Sequence, residues 1–222
     1  MVRVILTGLL IGFGLVVAPP AAADPPTCPP TCDQIPAAAW PEPWSIPLDG
    51  IYHWPVLAAV TAPVQASRFR FEELCNGPRP LGDPRDYAVS ARAVVAQPDG
   101  HWQLQAQVLH WRGETWRGGQ LAAQVFDTAV AALRNCQLTA PQFSPSITTD
   151  TPNRMAAVIS GPQIVHQYLL ADPGSSTVTE LALWATPGPT GSPPVPWPVI
   201  PDDRVFDAMA APLCAAYLGS CG

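Results

Sequence analysis

The stretch Gly118-Gly-Gln-Leu-Ala-Ala-Gln-Val-Phe-Asp-Thr-Ala-Val-Ala-Ala-Leu-Arg-Asn-Cys136 decides the fold class. Leu121, Val125, Ala129, Ala132 and Cys136 recur at helical spacing, which predicts one long amphipathic helix. Phe126, Val130 and Leu133 widen the apolar face enough for a helix lying on a sheet. Cys136 closes the last turn, where a disulfide can tie the helix to another element.

Strand signals flank this helix. Asp86–Gln97 and His101–Trp111 form a hairpin across Pro98-Asp99-Gly100, and Trp102, Leu104, Ala106 and Val108 alternate with Gln103, Gln105 and Gln107. After the helix come an edge strand at Phe143–Thr149, a pair at Met155–Ile159 and Gln163–Leu170, and a last strand at Thr177–Thr186. Residues 55–74 predict a helix broken near Pro63, with Glu72-Glu73 on a solvated face. Asp202-Asp203 opens a C-terminal helix, which Pro212 is expected to kink or split. Nearest-neighbour hairpins then give an α+β domain, a mainly antiparallel sheet with helices packed on one face and disulfides to stabilise it.

Residues 1–23 read as a signal peptide: Arg3, an apolar run from Val4 to Val17, and the small-residue site Ala21-Ala22-Ala23. Cleavage there leaves 10 basic against 17 acidic side chains, a net charge of −7. An acidic surface argues against nucleic acid, and the short apolar run against stable membrane insertion once the signal is cleaved. The expected location is extracytoplasmic. The chain has no lysine, which excludes Schiff-base, P-loop and S-x-x-K chemistry.

Residues 24–55 form a proline-rich arm carrying Trp40, Trp44 and Trp54, expected to wrap back onto a single domain spanning 56–222. Cys28, Cys32, Cys75, Cys136, Cys214 and Cys221 give an even count in an exported chain and read as disulfides. Six cysteines allow 15 pairings. Cys28–Cys32, Cys75–Cys136 and Cys214–Cys221 are preferred, because two loops are short and the third pins the long helix. No C-x-x-C or H-x-x-x-H spacing suggests a metal, and no cofactor motif is present.

His53, His101, His110 and His166 form no local dyad, and no residue is nominated as catalytic. The reading that fits best is a non-catalytic binding domain for a small-molecule or envelope ligand. Trp111, Trp116, Trp184 and Trp197 are the candidate binding side chains. A structural or protein-interaction module of the envelope is the alternative, and an envelope-polymer hydrolase the third reading.

Gln120 to Cys136, Ala157-Val-Ile-Ser-Gly161 with Tyr168-Leu-Leu170, and Pro201-Asp-Asp-Arg-Val through Leu213-Cys-Ala-Ala-Tyr217 resemble mycobacterial secreted proteins. Those proteins are similar to the extracellular sensor domain of the PknH-like receptor serine/threonine kinases. The resemblance covers residues 56–221 and implies a disulfide-stabilised α+β domain with a cleft for a ligand. It further implies a sensor-like role in an actinobacterial cell envelope. This sequence departs from the pattern in having no kinase segment and no cysteine in Thr177–Thr186.

Overall fold

Val108 and Leu109, consecutive in one strand, enter two different hydrophobic cores. The computed structural model describes residues 33–65, 67–188, 191–217 and 220. The expectations for the signal segment and for Cys28, Cys32 and Cys221 lie outside the described residues. One sheet holds seven strands: β1 (Thr61–Pro63), β2 (Val89–Val95), β3 (Gln103–His110), β4 (Ser144–Asp150), β5 (Arg154–Ser160), β6 (Ile164–Asp172) and β7 (Thr177–Ala185). Their order is β1-β2-β3-β7-β6-β5-β4, and every neighbouring pair is antiparallel. The α+β class is as expected.

The helices are α1 (Asp49–Tyr52), α2 (Arg70–Cys75), α3 (Thr115–Arg134), α4 (Cys136–Thr139) and α5 (Asp202–Ala216). Strand residues alternate between faces. In β6, Val165 and Leu169 meet α3 while Tyr168 and Leu170 meet α5. The helices are therefore divided between two faces rather than gathered on one. The inner strands are buried on both sides, and each face has its own cover. Trp40, Ile46, Leu48 and Trp54 of the proline-rich arm belong to the α5-side core, as its tryptophans led us to expect.

The long helix starts three residues earlier than predicted and ends at Arg134, leaving Cys136 to open α4. Ala122, Val125, Phe126, Ala129, Val130 and Leu133 are its buried apolar side chains, while Leu121 and Ala132 are half-buried. Gly118 and Gly119 are buried because α3 presses on the β6–β7 turn. A Cβ on Gly119 would stand 2.6 Å from the Pro173 carbonyl oxygen.

Residues 55–74 correct the sequence reading. Leu57–Val60 is a 3-10 turn, and Thr61–Pro63 is edge strand β1, paired through Ala62 with Arg92. Thr61 and Pro63 suit a short edge strand better than a helix interior. Helix resumes only at Arg70. Glu72 is not on a solvated face. It is buried and ion-paired with buried Arg85 at 2.5 Å, and Asp83 pairs with the same guanidinium at 2.7 Å.

Cys75 and Cys136 form a disulfide with a Cα–Cα distance of 4.8 Å, joining α2 to α4 as preferred from the spacing. Cys214 is disulfide-bonded as well. Pro212 does not split α5, which runs unbroken through it.

Candidate ligand-binding groove

The arm and α5 leave a groove of about 920 Å3 between them. Trp54 shapes the arm side. Its indole Nε1 donates to the Pro47 carbonyl at 2.8 Å, and its amide donates to Asp49 Oδ1 at 2.9 Å. These bonds hold Leu48 at φ 70°, a left-handed conformation that costs a leucine about 1–3 kcal/mol. The turn places Trp40, Ile46 and Leu48 on the groove floor. Trp44 stands at the rim, 78% exposed.

On the other wall, Val205, Ala208, Ala211, Pro212 and Ala215 of α5 present small side chains. Pro212 has no amide hydrogen, so the Ala208 carbonyl lacks its usual i+4 donor. Both residues line the groove. Glu42, Asp49 and Asp207 are its acids and Arg204 its cation. The net balance of −2 disfavours an anionic ligand.

The loop before α5 closes one end with Pro198 and Ile200. Trp197 anchors that loop by stacking on His166, and Trp102 Nε1 donates to the Val195 carbonyl at 2.8 Å. The start of α5 is fixed by Asp202, whose Oδ2 accepts from Thr148 Oγ1 at 2.6 Å and Thr149 Oγ1 at 2.8 Å. Burial, with Asp202 beside it, raises the Tyr168 phenol above its ordinary range.

The four tryptophans nominated from sequence are not brought together. Trp111 is buried under α3 and donates to the Pro84 carbonyl at 2.9 Å. Trp184 lies half-buried on that face, with the Arg70 guanidinium 4.3 Å from its ring centre. Trp116 is exposed on the first turn of α3. Trp197 is on the opposite face, and it positions the groove wall without being part of it. Trp40 and Trp44 line the groove; the sequence allowed the arm's tryptophans a binding role for sugar rings or a protein partner but favoured packing for them, and they were not among the four nominated.

The histidines are engaged separately. His101 Nδ1 lies 3.4 Å from the Tyr52 hydroxyl, and His110 Nδ1 lies 3.3 Å from Thr177 Oγ1 and stacks on Tyr217. Among the described residues no group of three or more His, Cys, Asp or Glu side chains could hold a metal ion. No helix there is long and apolar enough to cross a membrane. No protein-family model and no curated protein matches this chain.

Proposed function

We propose that this chain is a secreted, non-catalytic, sensor-like binding domain of an actinobacterial cell envelope, and that the arm–α5 groove is its site. The groove carries the reading: about 920 Å3, apolar on floor and wall, with few polar groups at its rim. Its occupant has an apolar body and a neutral or cationic head that donates a hydrogen bond. The acids at the rim select that head, and the exposed indole of Trp44 covers the body. Export accounts for the disulfide, which persists in oxidising surroundings.

Nile red, an uncharged solvatochromic dye, tests the groove. The wild type should bind it saturably with a blue-shifted emission. Ala211→Trp, which fills the groove from its exposed wall, should abolish binding with the circular dichroism unchanged. Trp44→Ala should weaken it severalfold. Equal binding by Ala211→Trp would remove the groove from consideration.

A further inference from the structure

On the α3 side of the sheet, the cover divides into an apolar half under α3 and a polar half under α2. Glu180 of β7 lies at the centre of the polar half, 1% exposed. Its Oε1 accepts from the Arg70 amide at 2.5 Å and from Gln167 Nε2 at 3.0 Å, and its Oε2 accepts from Gln105 Nε2 at 2.9 Å. Gln107 stands opposite Glu180 in the register, with Oε1 accepting from Arg92 Nε at 2.7 Å. The charged groups around the carboxyl are Arg92 from β2 and Arg70 with Glu73 from α2. Glu73 pairs with each arginine at 3.2 Å.

We propose that Glu180 is a proton-binding switch whose change of charge is relayed to the start of α2 through the amide of Arg70.

Two unfilled hydrogen-bonding atoms make room for both protonation states. Gln167 Oε1 and Gln107 Nε2 are buried and have no hydrogen-bond partner. With Glu180 ionised, Gln167 donates to it through Nε2. With Glu180 protonated, the new O–H needs an acceptor. Rotating the Gln167 amide by half a turn supplies its Oε1, and such exchange costs little in packing because the two ends are nearly the same shape. The new O–H is thus satisfied, and the cost of about 1–3 kcal/mol for an unpaired buried group passes to the Gln167 Nε2, which takes the place that Oε1 held.

The relay follows from what the Arg70 amide loses. Arg70 is the first residue of α2, and Glu180 is the acceptor for its N–H across 110 positions of chain. Neutralising the carboxyl removes a charge-assisted bond, roughly twice as strong as a neutral one. The far end of α2 is held at Cys75 by the disulfide to Cys136, so the change falls on the Arg70 end. The Arg70 guanidinium over Trp184 moves with it and supplies an optical signal. Burial pushes the Glu180 carboxyl up to about 7, against the opposing pull of Gln105, the Arg70 amide, Gln167 and Arg92. The change of charge therefore falls near neutral pH.

The experiment is a pH titration by NMR of the full chain labelled at glutamate carboxyls. The sequence has five glutamates, Glu42, Glu72, Glu73, Glu114 and Glu180, and Glu180→Gln identifies the signal. One carboxyl should titrate near pH 7, and the Arg70 amide and Trp184 indole signals should move with the same midpoint. A Glu180 midpoint below pH 5.5 would overturn the proposal, as would an Arg70 amide that stays still while the carboxyl titrates. Should Glu180→Gln not fold, Gln167→Met leaves the carboxyl in place and must shift the same midpoint at least threefold in proton affinity. An unmoved midpoint in that variant places the proton elsewhere.

Discussion

The imidazole of His166 lies flat on the indole of Trp197, with ring centroids 3.6 Å apart and planes 6° from parallel. Trp102 closes the same ring from another side at 5.6 Å. Burial holds the His166 ring down to about 4, although Asp202 pulls the other way. The folded chain therefore keeps a neutral imidazole where the unfolded chain, at about 6.5, takes a proton. Its contribution to stability is complete above pH 6.5 and is lost as the pH falls through 4.

Glu180 has the opposite sign. Its folded value near 7 lies above the ordinary 4.5, so its contribution is complete below pH 4.5 and is lost as the pH rises through 7. Each group is worth on the order of 3 kcal/mol across its window, at 1.36 kcal/mol per unit. Between pH 4.5 and 6.5 the two slopes offset one another in the wild type. Denaturant unfolding of single variants should separate them. His166→Phe keeps an aromatic ring against Trp197 and should lose stability as pH rises across that interval. Glu180→Gln should gain it. Parallel slopes in both variants would contradict the assignment.

Gly119→Ala should destabilise the fold by about 1–3 kcal/mol, the range for overpacking. The general preference of helices for alanine, about 1 kcal/mol, works against this and is outweighed. The obstacle is the Pro173 carbonyl, which is backbone and cannot rotate away. Gly50→Ala is the control: no atom lies within 4 Å of its added Cβ, and a shift within about 0.5 kcal/mol is expected. Urea unfolding of the pair decides the matter.

Cys136→Ser should cost about 2–5 kcal/mol, because Cys75–Cys136 closes a loop with a separation of 61 residues. The Thr139 hydroxyl still donates to the Cys75 carbonyl, at 2.5 Å in the intact protein, and limits the local rearrangement. A measured loss under 1 kcal/mol would mean that α2 is held by its packing.

Arg85→Met should cost about 3–5 kcal/mol, typical of stranding a buried charge. It leaves Glu72 and Asp83 buried without their shared cation. Although burial opposes it, hydrogen bonding with Arg85 and Arg79 holds the Asp83 carboxyl down to about 2. The penalty should therefore be full above pH 3.8 and shrink as the pH falls through 2. A penalty that stays the same as the pH is lowered would show that Arg85 does not hold the Asp83 carboxyl down.

Alternation made the sheet legible. Every strand from Val89 onward lies within about three residues of where the period of two placed it, because successive strand side chains point to opposite faces. The long helix was equally plain from Val125, Phe126, Ala129 and Leu133. The Cys75–Cys136 pair was a preference among 15 pairings, and the structure bears it out. What misled was short or mixed: residues 55–74 hold too few turns for periodicity to separate a 3-10 turn and an edge strand from a helix.

Pairing across the sheet was not legible. The β3–β7 ladder joins Gln107 to Glu180 across most of the intervening chain, and no local pattern encodes so distant a neighbour. That ladder sets which residues share a face, so it also decided that α5 and the arm close a second core. Neither the groove nor the buried environment of Glu180 exists until that second layer and α2 are in place. Local periodicity, turn chemistry and cysteine count were therefore properties of the sequence alone. The groove and the proton site came from distant segments meeting, where burial and geometry give ordinary side chains their particular roles.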